Sequence, residues 1–373
     1  MREALKNAKR IVVKVGSSSL THDNGKLNLF RIESIVKQLA DAANSGKEII
    51  FVSSGATAAG LPALGFKKKP TDIVMRQACA AVGQGVLLHM YETMFRQYGH
   101  IVAQVLLTRE DTVKHTNYIN LRNTLSALLR LGVIPIINEN DVIAIEEFKI
   151  GDNDTLSANV ASIIEADLLI LLSDIDGLYT ANPTTHPEAT LISEVDAITP
   201  DIYKIAGGAG SSIGTGGMYT KIEAANIAVN SGIHMVITNG DDTDAIRHIL
   251  LGKNVGTHFS PKETHLHTKK RWMAFGKRLT GKIYVDAGCK EALLTKGSSL
   301  LPAGVIEIEG EFNEGATVSV FFNDEELARG MANFSSADLH KIKGLNSSKI
   351  AQVLGINTSY EEVIHRDNLV VMR

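Results

Sequence analysis

Five short apolar runs punctuate the first half of the chain, at residues 11–15 (IVVKV), 48–52 (EIIFV), 101–107 (IVAQVLL), 133–137 (VIPII) and 168–172 (LLILL). They have strand length and lack the apolar–polar alternation of a sheet with one wet face, so the pattern predicts strands buried on both sides. The longer stretches between them carry helical spacing. Ile32, Ile35, Val36 and Leu39, for example, fall at i, i+3, i+4 and i+7 on one helix face. Strand and helix in alternation argue for an α/β fold, a mostly parallel sheet sandwiched by helices.

In such a fold ligands collect where strand-end loops and helix N-termini converge. The segments at those places are GSSS (16–19), SSGATAAG (53–60), NEND (138–141), GDND (151–154) and SDIDG (173–177), all small, polar or acidic. After about residue 260 the pattern changes. A cationic stretch with Lys269, Lys270, Arg271, Lys277 and Arg278 flanks Trp272, the single tryptophan, and short alternating segments such as KIYVDAG and ATVSVFF follow. The expected organisation is therefore a first domain over residues 1–260, a linker over 261–279, and a strand-rich domain with a tail over 280–373.

Composition narrows the function. With 373 residues, 44% hydrophobic, 21% charged and a net charge of −3, the chain has the make-up of packed globular domains and no basic excess for nucleic acid or an anionic membrane. A small-molecule substrate fits better. Residues 279–373 hold nine Lys and Arg against thirteen Asp and Glu, a balance that weighs against an RNA-backbone clamp there. Cys79 and Cys289 stand far apart, with no disulfide framework or zinc-ligand spacing. The charged N-terminus shows no secretory pattern and no apolar run reaches membrane-spanning length, so the expectation is a cytoplasmic protein without a membrane partner.

Several residues could carry chemistry. Gly207 to Gly217 (GGAGSSIGTGG) runs into MYTK and an amphipathic helix; backbone N–H groups there could cradle phosphates, although a plain surface loop reads equally well from this segment. Lys221 at its end favours the phosphate reading. Lys14 lies between Val13 and Val15 at a strand end, where a buried cation calls for an anionic partner. GDND with the following apolar helix reads either as an N-cap at Asp152 or Asn153, or as acidic and amide groups that orient lysines or hold waters around Mg²⁺. Asp141 could pair with a substrate ammonium group and Ser54 could donate to a substrate carboxylate, although taken alone each reads first as a turn or cap residue. His265 and His267 stand beside the cationic linker and read as solvated; no motif for hydrolysis or zinc chemistry is present.

Taken in order, VVKVGSSSL, FVSSGATAAG, VIPIINENDVI, KIGDNDTLSANVA, LLSDIDGLYTANP and GTGGMYTKI resemble the amino-acid kinase family. Residues from about 280 to 357 resemble the PUA domain appended to many bacterial members. The resemblance implies an amino-acid kinase fold over residues 1–260 and a PUA-like domain over 280–373. It implies ATP-dependent phosphorylation of the side-chain carboxylate of L-glutamate, giving L-glutamyl 5-phosphate and ADP, the first step of proline biosynthesis. By the same resemblance Lys14 touches the ATP phosphates, Lys221 stabilises the transferred phosphoryl group, and Asp152 and Asp154 organise the lysines. Ser54, Asp141 and Asn153 match substrate-contacting positions. Ser173, where Thr is familiar in the family, and Asp174 match the nucleotide segment, which Thr215, Gly216, Gly217, Met218, Tyr219, Thr220 and Lys221 complete. Mg²⁺ with ATP, a homo-oligomer, proline as feedback inhibitor and handover to glutamyl phosphate reductase are further implications; the metal ligands are not assigned.

Overall fold

Strand β1 (Arg10–Val15) turns its side chains alternately to two dry faces. Ile11, Val13 and Val15 enter one core, and Val12 enters a second on the opposite side of the sheet. The same parity holds in β2 (Glu48–Val52) and β5 (Leu168–Ser173), which flank β1 in parallel register. Continuous apolar runs follow from this burial on both faces. In the computed structural model, residues 2–22, 26–66, 68–108, 111–112, 115–144, 153–207, 217–261, 279–355 and 360–371 are described, and the chain divides into two units, Met1–His265 and Leu266–Arg373.

The first unit is an eight-stranded sheet of order β3-β4-β2-β1-β5-β7-β8-β6 among the described residues, with β3 at Val102–Leu107, β4 at Ile134–Glu139, β6 at Glu194–Val195, β7 at His234–Asn239 and β8 at Thr257–Phe259. All pairings are parallel except β7 with β8. Helices α3 (Leu29–Asn44) and α5 (Ile73–Gln97) cover the first face. Helices α6 (His115–Arg130), α7 (Asn153–Ile163) and α9 (Met218–Asn230) cover the second. Ile32, Ile35, Val36 and Leu39 are all buried on α3, as their spacing requires. Strands β1 and β5 are neighbours whose onward connections leave in opposite directions, which opens a crevice at their carboxyl ends.

Two strands depart from the sequence expectation. The run 101–107 was expected to be buried, yet β3 is an edge strand and only Leu107 within it is fully buried. Its apolar residues lose one neighbour because the sheet ends there. Strand β7, reading HMVITN, lay outside the five expected runs because polar residues at its ends shorten the apolar signal.

Helices α4 (Ala56–Ala63) and α5 touch backbone to backbone. A Cβ at Gly83 would lie 1.7 Å from the Ala56 carbonyl oxygen, and one at Gly60 1.9 Å from that of Cys79. Glycine is required at both positions by this approach, which fixes the N-terminus of α4 against the middle of α5. At the far edge of the sheet, Arg2 donates to Glu194 and to the carbonyls of Ser193, Lys253, Val255 and Gly256. Glu194 in turn holds His258 Nδ1 at 2.8 Å, and His258 Nε2 lies 3.0 Å from His234 Nδ1. With His258 donating to Glu194 from Nδ1, its Nε2 accepts from His234, so both rings are neutral in this chain of contacts. Burial, then the neighbouring imidazole, hold His234 down at about 4, and burial lowers His258 despite Glu194.

The second unit carries a five-stranded sheet of order β10-β9-β11-β12-β13, formed by β9 (Gly281–Val285), β10 (Val305–Glu309), β11 (Thr317–Phe322), β12 (Glu325–Met331) and β13 (Leu369–Val371). Ile283, Val318, Val320 and Ile364 form its separate core with Leu339 and Ile342 of the helix Ser336–Ile342. His265, His267, Trp272 and the cationic stretch lie outside the described residues.

Two outcomes follow from this packing. Gly83→Ala should destabilise the chain by about 1–3 kcal/mol through overpacking against α4, read as a lowered denaturation midpoint at constant m-value. His234 binds a proton less readily folded than unfolded, so between its ordinary 6.5 and about 4 the unfolded state takes up more protons. Its contribution is full above pH 6.5 and is lost as pH falls towards 4. Replacing it, in His234→Gln, should flatten the slope of Tm against pH in that window, with other acid-titrating groups leaving a residual slope in both proteins.

Candidate active site

Parity along β1 sends Lys14 to the second face of the sheet, the face of Val12, where α7 and α9 pack. Helix α7 starts at Asn153, so Asp154 lies in its first turn; α9 starts at Met218, so Lys221 lies in its first turn. The three side chains meet. Lys14 Nζ is 2.5 Å from Asp154 Oδ1 and Lys221 Nζ is 3.0 Å from Asp154 Oδ2. Asp154 is 0% exposed, Lys14 3% and Lys221 4%. At such depth a lysine without a counter-charge would lose its proton or its place, and one carboxylate between two ammonium groups keeps both in position. The trio carries one net positive charge. Thr220 Oγ1 stands 3.4 Å from Asp154 Oδ2 and donates to the Gly217 carbonyl at 2.8 Å, closing the first turn of α9.

Beside this trio is a cleft of about 210 Å³ whose walls include Ser17, Gly55, Thr57, Lys69, Asp141 and Asn153. Its volume falls below the roughly 300 Å³ at which pockets for drug-sized ligands begin. Gly55 has φ +83°, a left-handed conformation that lets the chain turn sharply from β2 into α4, whose first residues line the cleft. The opposite wall is braced from behind. Asn153 Nδ2 lies 2.7 Å from the Ser53 carbonyl, 2.9 Å from Ser54 Oγ and 2.9 Å from Asn138 Oδ1, three acceptors sharing two hydrogens. Asn138 Nδ2 donates to Gln84 Oε1 at 3.3 Å, and Gln84 Nε2 donates to the Glu139 carbonyl at 3.2 Å. Ser53 Oγ and the Tyr91 hydroxyl are 2.8 Å apart, and burial pushes the Tyr91 hydroxyl far above its ordinary range.

The structure therefore brings Lys14, Asp154 and Lys221 together, and sets Asn153 and Asp141 on the cleft. Ser54 is placed behind the wall: its Oγ accepts from Asn153, and Gly55 to Ala58 form the cleft surface. Ser173 ends β5 with its Oγ 3.0 Å from Asp174 Oδ1, and Gly217, Met218, Tyr219 and Thr220 lead into Lys221. Asp152, Thr215 and Gly216 lie outside the described residues, as does most of the Gly207–Gly217 loop.

Asn138, Gln84 and Lys69 were not singled out from the sequence. A signal existed for the first two. Period two along β4 puts Asn138 on the face of Ile134 and Ile136, towards α5, and Gln84 falls on the buried α5 stripe with Ala80 and Leu87. For Lys69, in the run KKKP, nothing in the pattern separates it from its neighbours.

The described residues contain no group of three or more His, Cys, Asp or Glu side chains arranged to hold a metal ion, and both Asp154 oxygens face ammonium groups. What they do offer is fixed positive charge next to a small polar cleft, suited to bringing an anionic acceptor against a phosphate.

A model described as the amino acid kinase family matches residues 9–239, and one described as the PUA domain matches residues 281–354. A glutamate 5-kinase of Carboxydothermus hydrogenoformans is 54% identical over 374 residues, covering 100% of both chains. A glutamate 5-kinase of Moorella thermoacetica is 51% identical over 372 residues, covering 100% of this chain and 98% of the relative. The chain, matched by the family model through all the strands that build the lysine site, therefore belongs to the amino acid kinase family.

Proposed function

We propose that the chain transfers the γ-phosphoryl group of ATP to the side-chain carboxylate of L-glutamate, giving L-glutamyl 5-phosphate and ADP. The single observation that carries the chemistry is the buried Lys14–Asp154–Lys221 trio next to a cleft of amino-acid size. The full-length glutamate 5-kinase relatives support the choice of acceptor and, with it, the first step of proline biosynthesis.

The acceptor needs no general base. A glutamate side chain, with an ordinary pKa of about 4.3, is anionic at neutral pH and is already the nucleophile. One of its oxygens forms a bond to the γ-phosphorus while the bond from that phosphorus to the β,γ-bridging oxygen breaks, and ADP carries the electron pair away. The obstacle is repulsion between an anion and a triphosphate, so catalysis rests on positioning and fixed positive charge. Lys14, at the crevice of β1 and β5, faces the phosphates; Lys221 stabilises the phosphoryl group in flight; Asp154 holds both ammonium groups at fixed places. Asp152 belongs to this reading as a second orienting carboxylate. Ser173, Asp174 and the segment Thr215 to Thr220 bind the nucleotide, and Asp141, Asn153 and Ser54 bind or brace the acceptor. Mg²⁺ enters as part of the MgATP substrate, bound through phosphate oxygens and water.

The remaining partners belong to the same reading. Helix α5 has little amphipathic contrast, and Val74, Val82 and Val86 are exposed along it, which supports a homo-oligomer that covers this face. Proline, another small zwitterion, suits the acceptor cleft as an inhibitor, and the reactive acyl phosphate suits handover to glutamyl phosphate reductase. No helix among the described residues is long and apolar enough to cross a membrane, and the two cysteines are unbridged; a cytoplasmic site of action fits both.

The reading is tested by an acceptor screen with MgATP, trapping the product with hydroxylamine as the glutamyl hydroxamate; absence of a glutamate-dependent hydroxamate would refute it. Lys221→Ala should lower kcat by about 10²- to 10³-fold, the scale of losing one preorganised contact to developing charge, with the glutamate KM little changed in steady-state assays. Asp141→Asn should raise the glutamate KM far more than the ATP KM, because Asp141 lines the cleft read as the acceptor site.

A further inference from the structure

The cleft read as the acceptor site is lined by charges of both signs. Glu139 ends β4 and Asp141 follows it, Lys69 belongs to the segment between α4 and α5, and all three line the cleft together with Thr57 and Ser17. Lys69 makes no hydrogen bond or ion pair among the described residues, whereas Lys14 and Lys221 are committed to Asp154. A free amino acid that offers its side-chain carboxylate to a phosphoryl group still has an ammonium group and an α-carboxylate to place. The carboxylates of Asp141 and Glu139 suit the ammonium group. The α-carboxylate then needs a donor that the catalytic lysines do not provide.

We propose that Lys69 is a specificity-determining residue whose ammonium group pairs with the α-carboxylate of the acceptor, completing a clamp for a zwitterion with Asp141. The inference rests on the reading of the cleft as the acceptor site. A cation and carboxylates lining one cleft favour a substrate carrying both charges over simple carboxylic acids, which gain from only one of them. Lys69 is exposed where it lines the cleft, so the contact is a charge-assisted hydrogen bond weakened by solvent, at the low end of the range for charged partners.

The test compares two acceptors that share the same reacting carboxylate: L-glutamate, and L-isoglutamine, in which the α-carboxylate is a neutral amide. Both are assayed with the full chain and saturating MgATP, by turnover and by competition of isoglutamine against glutamate. Lys69→Met should lower kcat/KM for glutamate about tenfold, the scale of one charge-assisted hydrogen bond, through KM, while changing the isoglutamine constants less than about twofold. Lys69→Arg should retain most of the preference for glutamate. Lys68→Met removes the same charge one residue away, outside the cleft lining, and should leave both acceptors unaffected. Equal losses for the two acceptors in Lys69→Met, or no loss for glutamate, would overturn the assignment while leaving the acceptor reading intact. Failure of the unaltered chain to use glutamate would overturn both.

Discussion

Two lysines from distant parts of the chain converge on one carboxylate that has no contact with solvent, and the architecture of the first unit can be read as the means of keeping them there. Lys14 arrives from a central strand, Asp154 and Lys221 from the first turns of two helices packed on the same face. An ammonium group at this depth persists only with its counter-charge in place, so the positions of β1, α7 and α9 are mutually constrained. The many apolar contacts around Val12, Leu156 and Ile222 supply the rigidity that such a polar centre requires.

The polar cleft depends on a different contact, the close crossing of α4 and α5. Glycines at 60 and 83 let two backbones meet, which places the first turn of α4 at the cleft and Gln84 against Asn138 and Glu139. From there a line of hydrogen bonds reaches Asn153, the residue adjoining Asp154. The cleft and the lysine trio are thus tied together through neighbouring residues of α7, so a displacement of either helix end alters the distance between them.

Much of this was legible beforehand, for physical reasons. Strands buried on both faces must be apolar throughout, so four of the five runs emerged as central strands; the fifth, 101–107, shares that composition yet lies at the edge, because composition records burial only in part. Lys14 drew attention because a lysine amid Val13 and Val15 is costly without an anion, and Lys221 because of its place after a glycine-rich loop. Gln84 and Asn138 went unnoticed, although each sits at the buried parity of its element, because an amide in a buried position shows no charge to account for.

The order of apolar runs and helical spacings along the chain determined the fold class, the strand-end location of the chemistry and the change of character beyond residue 260, since burial and backbone geometry act on every residue locally. The tertiary structure alone decided that Asp154 serves both lysines, that Ser54 stands behind the cleft wall, and that Lys69 enters the cleft while Lys68 does not line it. Those relations join residues as far apart as 14 and 221. Periodicity specifies which face a side chain occupies, but only the packing of helices across the sheet specifies which side chains on that face meet.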